Sequence, residues 1–275
     1  MKTRGRTLPA GWYPTGEVET IRQFKEWEKE YNLRQNAVSV VVPHAGWFFS
    51  GKLAFGAISS LRRDCSTVVV IGGHMAPGGG ILAAPEEGYE TPLGVLPADK
   101  LLLDKLQSEL DILEDNFADN TVEIQLPILA YCMKGKRALY MRVSPSEEAV
   151  KLGKKLAELN KEGEMDLTVI GSTDLTHYGP SYGFTPKGVG SKARQWVEEV
   201  NDKKIIDAMV EMDSEQILKA GNEEKAACSA GAAAAASAFA KELGVNRGTL
   251  LDHYTSASIH PGDSMVGYAG IIYRL

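Results

Sequence analysis

Cysteine is scarce in this chain: Cys65, Cys132 and Cys228 are the only three in 275 residues. Thiols so few and so scattered make no disulfide framework, and their number suits a reducing compartment. An excess of positive charge is also missing. Thirty Lys and Arg stand against 36 Asp and Glu, for a formal net charge of −6. Nucleic-acid binding draws much of its affinity from basic side chains that neutralise phosphates, so nucleic acid is not expected as a partner. No stretch approaches the roughly 18 uninterrupted apolar residues that a membrane-spanning helix requires. The opening MKTRGRTLPAGWYP carries basic residues but no apolar core of a signal peptide. The expected location is therefore the cytoplasm, away from membranes. Glycine motifs for phosphate are absent too: Pro77 to Gly80 reads PGGG with no GK[ST] after it, and the Rossmann pattern does not occur.

What remains is an ordinary globular composition, 44% hydrophobic and 24% charged, with enough apolar material for a sizeable core. Three β-branched runs read as buried parallel strands: Ala37 to Pro43, Thr67 to Gly72 and Asp166 to Gly171. Arg137 to Val143 is a fourth. Apolar residues at three- and four-residue spacing predict helices over Ser50 to Arg62, Asp99 to Leu110, Glu147 to Lys161 and Lys192 to Met212. An alanine-rich helix is expected over Lys225 to Leu243. Leu250 to Tyr254 and Met265 to Leu275 read as an antiparallel strand pair at one edge. Strands alternating with helices predict an α/β fold, with a mostly parallel central sheet covered by helices on both faces. No repeat or linker divides the chain, so residues 1–275 are expected to form one domain.

Ligands of open α/β sheets bind beyond the carboxyl ends of the strands. His44, His74 and His177 each follow a predicted strand within a few residues, which directs all three to one edge of the sheet. Imidazoles gathered there suit a metal ion once an anionic donor joins them. That donor could be Asp174, Glu123 or Cys228. Cys228 opens the alanine-rich stretch, where a helix dipole would lower its pKa and favour thiolate. Structural roles compete at every position: His44 as a turn residue, His177 with Asp174 as a hydrogen-bonded pair, Cys228 as core packing, Glu123 and Gln125 on a solvated helix. The Thr91-containing turn YETPLG lines a pocket or merely connects elements. His253 and His260, in the tail, are not assigned to the site.

Taken in order, AGWYP, VVPHAGWFFSGKLA, VVVIGGHM, YETPLGVLPAD, VEIQLPIL, GSTDLTHYG, AACSAG and YTSASIHPGDSMVGYAG resemble the Memo family, known in prokaryotes as AmmeMemoRadiSam system protein B. The family is similar in fold to class III extradiol dioxygenases, which hold non-haem Fe(II) with two histidines and a glutamate. A cysteine replaces that glutamate in Memo proteins. The resemblance implies His44, His74 and Cys228 as metal ligands, His177 as the acid/base residue, and Asp174 orienting nearby. It implies Fe(II), with copper or zinc as alternatives; a small-molecule or peptide substrate is expected near Trp47, Thr91 and Glu123. Departures from the family pattern include Asp119-Asn120-Thr121 in place of Glu-His-Ser, and Gly72-Gly73 ahead of His74. The expected activity is that of a non-haem iron oxidoreductase. The competing expectation is a non-catalytic metal- or peptide-binding accessory protein, with a radical SAM enzyme as partner. A zinc or cysteine hydrolase using Cys228 and His177 ranks third.

Overall fold

Residues 2–31 and 34–275 are described in the computed structural model. Short β-branched runs become strands because their side chains pack well on both faces of a pleated sheet. Among the described residues the central sheet has nine strands. They are β1 (Ala37–Val42), β2 (Thr67–Gly72), β3 (Ile81–Ala83), β4 (Ile112–Glu114), β5 (Arg137–Val143), β6 (Leu167–Ser172), β7 (His177–Tyr178), β8 (Thr249–Thr255) and β9 (Met265–Arg274). Their spatial order is β7-β9-β1-β6-β2-β5-β3-β4, with β8 paired to β9 outside that path. The four middle strands β1, β6, β2 and β5 run parallel. Antiparallel neighbours border them: β9 on β1, and β3 on β5. The predicted tail pair is β8 and β9, antiparallel as expected.

Both faces of the sheet are covered. Along β2, Val69 and Ile71 enter one core while Val68 and Val70 enter the other, the two-residue alternation of a strand buried on both sides. The first core receives the helix Ala230–Glu242, every residue of which from Ala230 to Ala240 is buried. Its small side chains let it lie close to the sheet while the helix Glu147–Lys161 packs over it. Ser146 starts that outer helix, its hydroxyl accepting the N–H of Glu148. The second core is aromatic, with Phe24, Trp27, Trp47 and Phe55 in mutual contact.

Three differences from the sequence reading bear on the site. The predicted helix over Lys192 to Met212 is interrupted by one π-helical turn at Val197–Asn201. An extra residue in a turn preserves apolar spacing on either side, so periodicity does not reveal it. The alanine-rich helix starts at Ala230 rather than Lys225. Lys225 instead terminates a separate helix, Ser214–Glu224, in a left-handed conformation. Cys228 therefore lies in the link between two helices. Finally, YETPLG is a hairpin of strands Gly88–Thr91 and Gly94–Pro97, pairing with Thr3–Arg4 in a separate three-stranded sheet. Thr91 closes the hairpin turn by donating its hydroxyl to the Gly94 carbonyl at 2.8 Å.

Candidate metal centre

Two residues beyond β1 comes His44, two beyond β2 comes His74, and five beyond β6 comes His177. Parallel strands deliver all three to one edge, where they line a cleft of about 630 Å³. Cys228 reaches the same place by hydrogen bonds rather than by strand topology. Its N–H donates to the Asp174 carbonyl at 3.2 Å, and the Ser229 N–H donates to Thr173 Oγ1 at 3.0 Å. The loop after β6 thus fastens the link between the two helices to the floor of the cleft.

One donor atom each from His44, His74 and Cys228 lies within 4.8 Å of the others. His44 Nε2 and Cys228 Sγ are 3.1 Å apart, and the His44 and His74 rings stand almost perpendicular with centroids 5.0 Å apart. A separation of 3.1 Å is short enough for the nitrogen and the sulfur to reach one ion at bond lengths of about 2.1 and 2.3 Å. Protonation states support the same fit. Burial drives His44 down to about 3, partly opposed by Asp119, so its imidazole is neutral. Close packing around the sulfur raises the Cys228 thiol to about 12, although the residue keeps some exposed surface. The lowered thiol pKa expected from a helix N-terminus is thus reversed by burial, with Cys228 two residues short of the helix. A cation restores the thiolate, because coordination displaces the thiol proton. The donor set therefore suits a divalent metal.

Groups around the donors hold them in place. Ser172 Oγ sits 3.3 Å from His44 Nδ1 and accepts from Gln125 Nε2 at 3.1 Å. The same amide donates to the Pro43 carbonyl at 2.7 Å. Asp174 accepts the His44 N–H at 2.6 Å. Burial raises the pKa of this carboxyl to about 6, against the pull of His177 and the His44 N–H. On the rim, Asp119 Oδ2 faces His74 Nδ1 at 3.7 Å and Arg142 at 3.2 Å. Burial works against ionising Asp119, but hydrogen bonds from Thr121, with His74 and Arg142, outweigh it and leave the pKa lowered. Burial also lowers His74, assisted by His44. Gly73 adopts φ +130°, a conformation that favours glycine, and its N–H donates to Thr121 Oγ1 at 2.9 Å.

His177 lines the cleft beside Asp174. Its Nδ1 is 3.1 Å from the Leu175 carbonyl; a carbonyl only accepts, so Nδ1 carries the proton and Nε2 is the basic nitrogen. Asn120, where the family pattern has histidine, also lines the cleft and donates to the His44 carbonyl at 3.2 Å. Aromatic and apolar walls come from Trp12, Phe48, Phe49, Tyr182, Val266 and Tyr268.

The three residues expected to hold substrate lie elsewhere. Thr91 is in the hairpin described above. Trp47 lines an adjoining aromatic hollow, its indole donating to the Ile124 carbonyl at 3.3 Å. Glu123 is buried and faces away: its carboxylate accepts the N–H groups of Thr7 and Leu8 at 2.9 Å, the Tyr13 hydroxyl at 3.0 Å, and the Thr7 hydroxyl. Glu123 therefore anchors the segment that carries Gly11 and Trp12 to the cleft wall. Sequence reasoning missed Ser172 and Asp119. The hydroxyl at the end of β6 and the Asp119 helix cap were the available signals.

Comparison with known proteins places this arrangement. A family model described as "Memo-like protein" matches residues 4–272. The chain belongs to the Memo family. Curated Memo relatives include a MEMO1 family protein of Thermococcus onnurineus, 28% identical over 97% of this chain and 98% of that protein. Another, from Methanococcoides burtonii, is 29% identical over 98% of this chain and 100% of the relative. An uncharacterized protein from Escherichia coli K12 has a similar fold, with a TM-score of 0.57 at 11% identity, covering 84% of this chain and 98% of that one. Among the described residues, no helix is long and apolar enough to cross a membrane.

Proposed function

We propose that this Memo protein is a metal-dependent oxidoreductase with Fe(II) held by His44, His74 and Cys228, and with His177 as its proton-transfer residue. The carrying observation is that three donors lie within 4.8 Å of one another, two of them, His44 and His74, lining a cleft that His177 also lines. Imidazole and thiolate together suit iron, copper or zinc; likeness to extradiol dioxygenases gives iron priority. Bound iron would supply a redox-active Lewis acid. Around it, Cys228 surrenders its proton to become an anionic ligand, and Ser172 holds the His44 ring in orientation. His177 Nε2 takes a proton from substrate, with its other nitrogen tied to the Leu175 carbonyl. Asp174 faces the imidazolium so formed. The aromatic walls exclude water and fit a small molecule or a peptide side chain.

Elemental analysis of protein purified without oxygen, with Cys228→Ser alongside, tests the ligand set. Near-stoichiometric iron in the native protein and its loss in the variant is the expected result. A native protein that neither contains nor takes up metal sinks the proposal. His177→Ala is expected to keep its metal and lose oxygen-dependent turnover.

One observation favours a second reading. Asn120 donates its amide to a backbone carbonyl where a histidine would offer a further acid/base group. A non-catalytic accessory protein, binding metal or peptide beside a radical SAM enzyme, needs no such group. Stable capture of that enzyme, with no turnover across a broad substrate screen, separates this reading from the first.

A further inference from the structure

Away from the donors, a buried carboxylate and a buried amide converge on the residue that precedes His177. Asp202 Oδ1 accepts the Thr176 N–H at 3.1 Å. Asn201 Nδ2 donates to Thr176 Oγ1 at 3.0 Å and to the Glu224 carbonyl at 3.1 Å. Consecutive residues on a regular helix point about 100° apart; here the single π-helical turn Val197–Asn201 ends where Asp202 begins, and both side chains reach one threonine. Such turns recur at functional sites because they re-aim side chains.

The remaining atoms of Thr176 are held as well. Its carbonyl accepts the Gly267 N–H at 3.0 Å, and the Leu175 N–H donates to the Gly267 carbonyl at 2.8 Å. A side chain at Gly267 would collide with the Asp202 carboxylate, so the glycine keeps space for that group. The second Asp202 oxygen meets His253 Nε2 at 2.9 Å. Asp202 is fully buried while His253 keeps a margin of exposure; a buried carboxylate requires such partners.

We infer that Asn201, Asp202 and His253 are positioning residues for His177, fixing the Leu175–His177 segment so that the imidazole faces the cleft. The inference rests on the reading of His177 as the proton-transfer group, since its Nδ1 is tied to Leu175, a member of the same fixed segment. Neither Asp202 nor His253 lines the cleft, so both act through backbone and not on substrate.

The test reads the position of His177 directly. Carbethoxylation by diethyl pyrocarbonate is followed by mass spectrometry on the tryptic peptide 162–187, in which His177 is the sole histidine. Asp202→Ala is expected to change the His177 rate by about fivefold or more, as local loosening does. Asp202→Asn, which keeps an acceptor for the Thr176 N–H, is expected to restore most of the native rate. Metal content and the His44 rate should stay near native values. Should Asp202→Ala fail to fold, Asn201→Ala and the isosteric Thr176→Val carry the same expectation. A His177 rate within about twofold of native in every folded variant overturns the inference. So does a change at His177 matched by His44 and accompanied by metal loss, which marks general loosening. Because labelling needs no turnover, a catalytically silent His177→Ala would defeat the proton-transfer reading and leave the positioning result standing.

Discussion

The candidate metal site has a deep half and a rim, and they are built differently. His44 is 1% exposed, with its ring and backbone both engaged by Ser172 and Asp174. Cys228 lies against it at 3.1 Å. His74, by contrast, has a side chain 43% exposed, and its nearest carboxylate stands at 3.7 Å, beyond hydrogen-bond range. The deep pair is arranged before any ion arrives, whereas the rim histidine has freedom to adjust. Preorganised donors contribute more to affinity because less ordering remains to be done on binding. The largest expected effect follows: His44→Ala abolishes measurable metal uptake, while His74→Ala retains weakened binding through the deep pair. Elemental analysis after reconstitution and desalting checks both variants. Equal loss from the two would show that the rim is as rigid as the floor in solution.

The supporting groups sharpen the same contrast at smaller scale. Ser172 and Gln125 form a chain of hydrogen bonds from helix to imidazole, so Ser172→Ala frees the His44 ring. Removal of such a supporting group typically lowers metal affinity by about 10–100-fold. Asp119→Asn keeps one side-chain oxygen to accept the Thr121 N–H but loses the charge beside a half-exposed ring and the ion pair with Arg142. Its expected loss is under about tenfold, at the weak end of such effects. Competition titration against a metal chelator gives both affinities. Reversal of the order would place the controlling support on the rim.

How far the sequence revealed this site depends on what brings each residue there. His44, His74 and His177 were legible because strand direction alone sends them to one edge, and β1, β2 and β6 lie where the β-branched runs predicted them. Cys228 was not legible from pattern. Its position follows from hydrogen bonds to Thr173 and Asp174, 55 and 54 residues earlier in the chain, and only the family resemblance singled it out. Glu123 misled because a carboxylate on a helix read as flanking the site looks like a donor or pocket residue, yet its partners are the N-terminal residues Thr7, Leu8 and Tyr13. The π turn left no trace in the apolar spacing, so the Asn201–Asp202 contacts to Thr176 could not be foreseen.

The mildest test varies pH and separates the two deep donors by their protons. In the metal-free protein burial holds the Cys228 thiol protonated up to about pH 12, while the His44 imidazole stays neutral down to about pH 3. Between roughly pH 7 and 9, clear of both values and above the Asp174 carboxyl at about 6, a metal entering the deep pair must expel one proton, from sulfur, and none from His44. Its apparent affinity should therefore rise about tenfold per pH unit, with one proton released per ion bound. In Cys228→Ser the slope should collapse with the affinity, whereas in His74→Ala the slope should persist on weaker binding. Calorimetric titration in buffers of different ionisation enthalpy counts the protons. A release near zero would mean that the thiolate already exists before metal arrives, and that burial does not govern the sulfur as the packing around it implies.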